Sequence, residues 1–223
     1  MISERVFSRS YGSFWKDLLP FSEAFVRGLN SRWPKPDEPG VHRPEPMQRA
    51  VVNEAAVRLY RRLTLGEPLD MARAQDAINE ASAWLNCVGI PIEDYGLEET
   101  LLMAGTLVSR FGHTGVIFSP EFRGCGILSS CAADFITADV LVEVKSGHRT
   151  FRSSDFRQVL IYLSLNLLDG SHKIERICLY NPRLWRELLI SVDDLCLQMG
   201  GTNPADVLHR IADFVSTGVI SGL

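Results

Sequence analysis

Long apolar runs are missing from this chain. No stretch of about 18 uninterrupted apolar residues occurs, so no membrane-spanning helix is expected. The beginning, Met1-Ile2-Ser3-Glu4-Arg5, lacks the charged-then-apolar pattern of a secretory signal, and a cytoplasmic location is the expectation. Cysteine is sparse: Cys87, Cys125, Cys131, Cys178 and Cys196 are odd in number and form no CxxC pair. That pattern argues against a disulfide framework and against zinc or iron-sulfur ligation, and the five read as reduced, mostly buried thiols. Lysine is sparser still, with four among 23 basic residues. The rest are arginine, whose planar fork suits bidentate phosphate contacts. There is no GxxxxGK[ST] phosphate loop, so an ATP-driven step would need a partner. Internal repeats and low-complexity segments are absent. A basic surplus is absent too: the formal net charge is −4 and does not by itself advertise nucleic-acid binding. The basic residues are nonetheless unevenly spread, with Arg123, Lys145, His148, Arg149, Arg152 and Arg157 close together in sequence.

What is present is an ordinary globular composition, 46% hydrophobic and 22% charged, in 223 residues, enough for one substantial core with an appendage. Residues 12–30 carry apolar residues at loosely helical spacing interrupted at Pro20, which predicts short helices. Phe14, Trp15, Phe21 and Phe25 in that stretch read as packing or partner-docking groups. Residues 31–46 hold five of the eleven prolines, which forbids regular helix or central strand and predicts an extended arm. Helices are predicted over 47–63 and 70–88, so that residues 1–95 form a mainly helical extension. A further helix over 97–111 ends at Gly112. Strands follow at 114–118, 132–137 and 140–144, then an apolar helix over 154–168 closed by Asp169-Gly170, and a buried strand over 174–180. Residues 187–217 add a short strand or helix and a terminal amphipathic helix. The predicted class is α/β, with an αβββαβ core in residues 96–223.

One strand concentrates the chemistry. In Val140-Leu141-Val142-Glu143-Val144-Lys145, period-two alternation puts the three valines on one face and Leu141, Glu143 and Lys145 on the other. If Ala138-Asp139 make a two-residue turn, Thr137 pairs with Val140 and Asp134 falls opposite Glu143. A four-residue turn centred at the same point keeps this register, and a three-residue turn breaks it. Facing carboxylates about 5 Å apart repel unless a cation lies between them. Hard oxygen ligands at that spacing suit magnesium or manganese, which activates water and polarises a phosphodiester. Lys145, on the same face, is placed to orient the water or to stabilise developing charge. An acid-x-Lys triplet alone means little, since 27 acids and four lysines yield roughly half an occurrence by chance. On the following helix Gln158 and Tyr162 are four apart and share one face of an otherwise apolar run.

Taken together, Asp134, then Glu143-Val144-Lys145, then Gln158 to Tyr162 resemble the D…ExK…QxxxY signature of RecB-like nucleases in the PD-(D/E)XK superfamily. The resemblance covers residues 97–180. It implies a restriction-endonuclease-like core with a mixed central sheet, metal binding by Asp134 and Glu143, catalysis by Lys145, and an orienting role for Gln158 and Tyr162. It also implies an acidic residue on the helix before the first strand, for which Glu98 and Glu99 qualify, with Glu54 more distant. Iron-sulfur relatives use four spaced cysteines, which this chain lacks, so no cluster is expected. The expected activity is hydrolysis of DNA, in preference to RNA, with magnesium or manganese. Targeting is expected from a protein partner or a homo-oligomer, in a setting such as bacterial antiphage defence or a mobile element. Arg149, Arg152, Arg157 and His148 are candidate contacts to the nucleic-acid backbone. The blander readings are a solvated sheet edge for Asp134, Glu143 and Lys145, ordinary helix residues at 158 and 162, and surface solubility for the basic set. A catalytically silent subunit of the same fold, or a purely structural interaction protein, would share most of these features.

Overall fold

The computed structural model describes residues 1–34, 45–89, 91–92 and 94–217, with the backbone only at residue 94. Of the proline-rich arm, residues 35–44 lie outside the described residues. The chain divides into two compact units. One holds Met1 up to the arm, Ile117–Asn181 and the chain from Trp185 onward; the other holds the chain from the arm to Val116 together with Pro182–Leu184.

The first unit is built on the alternating valine strand, β5 (Val140–Val144). It pairs antiparallel with β4 (Phe135–Thr137) across Ala138-Asp139, in the register Thr137↔Val140, Ile136↔Leu141 and Phe135↔Val142. Ala138 takes the turn's strain at φ +52. On its other side β5 runs parallel to β6 (Arg176–Asn181), and a parallel neighbour requires a crossover. That crossover is α7 (Ser153–Asp169), which stops at Gly170, φ +64, where a side chain would meet left-handed strain. β1 (Val116–Phe118) and β7 (Arg186–Ser191) complete a mixed five-stranded sheet in the order β1-β4-β5-β6-β7. A separate antiparallel ribbon joins β2 (Glu121–Phe122) to β3 (Cys131–Ala132). The protein is therefore α/β with a mixed sheet. Residues 187–217 resolve into the end of β7, α8 (Val192–Gly200) and α9 (Pro204–Thr217).

Two boundaries differ from the sequence reading. The single strand expected at 132–137 is two, because the chain leaves the β2-β3 ribbon at Ala132 and enters the large sheet at Phe135. The first residues do not belong to a helical extension: α1 (Glu4–Arg9), α2 (Gly12–Leu18) and α3 (Ser22–Asn30) pack with the sheet's unit. Phe7, Phe14 and Trp15 share one buried cluster with Leu141, Phe156, Leu160 and Phe214. The Phe14 and Phe214 rings stack at 4.3 Å. Aromatic spacing signalled burial for Phe14 and Trp15 but carried no information about the partner surface. Phe25 lies edge-on to Phe156, whereas Phe21 is exposed.

The second unit is helical: α4 (Pro46–Thr64), α5 (Met71–Trp84) and α6 (Asp94–Phe111). Small residues, Ala55, Ala74, Ala77, Ala81 and Ala104, let the three helices approach closely around Leu59 and Ile78. α6, expected as the first helix of the core, belongs with this helical unit. No helix among the described residues is long and apolar enough to cross a membrane.

Candidate active site

The site residues gather where β5 ends and α7 passes over the sheet. Both faces of β5 are covered, and Glu143, on the face of Leu141, is buried at 3% exposure, a depth at which a carboxylate is seldom found unless paired. Its Oε1 accepts from Lys145 Nζ at 2.7 Å. Its Oε2 is buried and meets no donor. Lys145 Nζ also donates to Gln158 Oε1 at 2.6 Å, and Gln158 Nε2 donates to Tyr162 Oη at 2.6 Å. The helical spacing of Gln158 and Tyr162 thus produces a relay from β5 into α7. Tyr162 is held in place by stacking on Phe122, with ring centroids 5.3 Å apart.

Asp134 enters differently from expectation. It stands at the break between β3 and β4, one residue beyond the β4–β5 ladder, and its Oδ2 accepts the Val144 N–H at 2.6 Å. Its own carbonyl accepts from Ser119 N at 2.9 Å. The carboxylate therefore clips the end of β5 instead of standing in a regular cross-strand pair. Burial, and next the charge on Glu143, raise the Asp134 carboxyl above the ordinary range, while the Val144 N–H and Lys145 oppose the rise. Burial and then the charges of Glu143, Glu4 and Asp134 push the Tyr162 hydroxyl upward. Burial and then Glu4 and Glu143 raise the Cys131 thiol to about 12, which keeps it protonated at neutral pH.

Those shifts point to a residue that sequence reasoning missed. Glu4, in the first turn of α1, accepts from Gln158 Nε2 at 3.3 Å across 154 positions of sequence. No periodicity or spacing links the two. The helix expected to supply a further carboxylate, α6, lies in the helical unit. There Glu99 is ion-paired with Arg183 at 2.5 Å, Glu98 is exposed, and Glu54 is bound to Arg58 at 2.8 Å.

The expected basic contacts also separate. Arg149 is committed to Asp155 through two hydrogen bonds of 2.7 and 2.8 Å. Arg157 lies over the Trp15 ring at 5.7 Å with a largely buried guanidinium, while Arg152 is exposed at the start of α7 and His148 is half-buried in the preceding turn. Of these three arginines Arg152 is the one with an exposed side chain.

The donor set bears on a metal. Two carboxylates, one with an orphaned buried oxygen, match the hard ligands of magnesium or manganese; magnesium commonly takes one or two protein carboxylates and keeps waters. Among the described residues no group of three or more His, Cys, Asp or Glu side chains is arranged to hold an ion. The pair thus fits a hydrated ion and not a fully protein-ligated one. No protein-family model, curated protein or solved structure matches the chain.

Proposed function

We propose that the protein is a metal-dependent nuclease of the PD-(D/E)XK type, RecB-like branch, acting on DNA in preference to RNA. The observation that carries this reading is the continuous relay from Glu143 through Lys145 and Gln158 to Tyr162, with a buried carboxylate oxygen left unmatched beside Asp134. A solvated sheet edge would leave these groups exposed and mutually independent, which Glu143 at 3% exposure is not.

Asp134 and Glu143 would hold a magnesium or manganese ion, which when bound supplies Lewis-acid polarisation of a phosphodiester and a more acidic water. The chain's own groups do the rest. Lys145, its ammonium held between two acceptors, presents positive charge on the carboxylate side of the site, where it orients a water and steadies charge developing on phosphate oxygens. Gln158 fixes that ammonium's direction, and Tyr162 fixes Gln158. The Val144 N–H holds Asp134 so that its second oxygen is left for a ligand. With Arg149 and Arg157 used structurally and a net charge of −4, the chain's own grip on nucleic acid is weak. This supports targeting by a protein partner or by a second copy, as in antiphage defence or a mobile element.

The test is purified protein on single- and double-stranded DNA and RNA with magnesium, manganese or EDTA. Cleavage is expected with either metal and absent in EDTA, with Asp134→Ala and Lys145→Ala each losing at least about a hundredfold in rate. Metal-independent cleavage, or full activity in both variants, would overturn the reading.

A further inference from the structure

We propose that Glu4 is a positioning residue for Lys145, acting through the Gln158 amide; the inference rests on the nuclease reading above. A primary amide has two unlike ends, an oxygen that accepts and an NH2 that donates. Lys145 Nζ, a donor only, sits 2.6 Å from Gln158 Oε1, so the amide serves Lys145 in one of its two orientations. Tyr162 does not choose between them, because a hydroxyl accepts from an NH2 and donates to an oxygen equally well. Glu4 does choose. Its carboxylate accepts only, and it meets Gln158 Nε2 at 3.3 Å. In the reversed amide an oxygen would face the Glu4 carboxylate and an NH2 would face the Lys145 ammonium, two repulsive contacts in place of two attractive ones.

Glu4 is held for this task. Its side chain is 13% exposed. Ahead of it Ile2 is strapped to the 127–129 loop, its N–H donating to Ile127 O at 2.8 Å and its carbonyl accepting from Ser129 N at 2.9 Å. Behind it Phe7 is fully buried in the core. Ser3 caps the helix by accepting from Val6 N. Glu4 also raises the Cys131 and Tyr162 groups, so its charge is felt in the same interior as those of Glu143 and Asp134. The contact of Glu4 is with the Gln158 amide, and its role runs through that amide.

The experiment is a double-mutant cycle on the full chain, with single-turnover cleavage and KM measured for Glu4→Ala, Glu4→Gln, Gln158→Ala and the combination Glu4→Ala with Gln158→Ala. Glu4→Ala is expected to lose roughly tenfold to a hundredfold in the cleavage step with KM within about twofold. Glu4→Gln, which keeps an acceptor without the charge, loses less. In the Gln158→Ala background the Glu4→Ala change costs nothing further, because its target is gone. Unchanged rates in Glu4→Ala, losses that multiply in the double variant, or a loss that excess manganese restores each overturn the proposal and leave the nuclease reading standing. Absence of cleavage by the unmodified chain overturns both. Should Glu4→Ala fold poorly, Glu4→Gln with its own Gln158→Ala double carries the same cycle.

Discussion

Glu143 and Asp134 put opposite demands on stability and chemistry. Glu143 keeps one oxygen buried without a donor, a situation that costs about 1 to 3 kcal/mol in a folded protein. Glu143→Gln retains an acceptor for Lys145 and removes the unmatched carboxylate oxygen together with the repulsion of Asp134, against the loss of the Lys145 ion pair. It is expected to stabilise the metal-free protein by about 1 kcal/mol while abolishing cleavage, the trade expected where a site stores strain for function. Urea unfolding in EDTA beside a cleavage assay checks both halves; a destabilised Glu143→Gln would count against a vacant ligand oxygen. For Asp134 the sign runs the other way from most carboxylates. A folded-state pKa raised above the unfolded value gives stability that is full at low pH and is lost as pH rises through the folded value, here toward about 7. Between about pH 4 and pH 7, from the ordinary Asp value to the folded one, the metal-free protein should therefore lose stability that Asp134→Asn does not lose. Urea midpoints across that range read the difference, and parallel curves for the two proteins would contradict it.

At the scale of elements, α7 depends on its first turn. The Asp155 carboxylate accepts the Arg152 N–H at 2.9 Å and two bonds from Arg149. Burial works to raise the Asp155 carboxyl, and the Arg149 guanidinium, with Lys145 and the Arg152 N–H, overcomes it and holds the group below its usual range. Asp155→Asn is expected to cost about 1 to 2 kcal/mol at neutral pH, discounted because Arg149 is one-third exposed. The cost should shrink as pH falls through the folded pKa, since a depressed carboxyl contributes in full above its unfolded pKa and loses that contribution on the way down through its folded one. Thermal unfolding of both proteins between pH 3 and pH 7 tests this, and a gap that widens in acid would refute it. Elements were also where the sequence was most readable. The hairpin register followed from the alternation of Val140 to Val144 and a two-residue turn, despite Ala138 being a poor fit to φ +52. The break at Ala133 and Asp134 was not readable, because a β-branched and aromatic run suits one strand or two equally well. Only the exchange of sheets, a three-dimensional event, divides it.

Across the whole molecule, residues far apart in sequence meet without any local signal. Glu4 reaches Gln158 because α1 lies on α7, and α1 lies there because Phe7 packs with Phe14, Trp15 and Phe214. A lone acid in a six-residue helix has no pattern to announce that destination. The division into units was illegible for the same reason: helical periodicity marks α2 and α4 alike, but only packing assigns them to different cores. Phe7→Ala should cost about 3 to 5 kcal/mol and reduce cleavage beyond what lost folded protein explains, because Glu4 is displaced with the helix. Activity normalised to folded protein by circular dichroism decides the point; activity tracking folded fraction alone would separate Phe7 from the site.

The ring stack of Phe7 on Phe214 has a consequence for how the protein is born. α1 leaves the ribosome before Phe214 is translated, and at about 5 to 20 residues per second the wait for α9 is roughly 10 to 40 s. Until α7 is made Glu4 has no amide to orient, and until α9 is made Phe7 has no Phe214 to stack on. The amide-orienting contact of Glu4 thus depends on two elements, α7 and α9, that are made long after the helix that carries it.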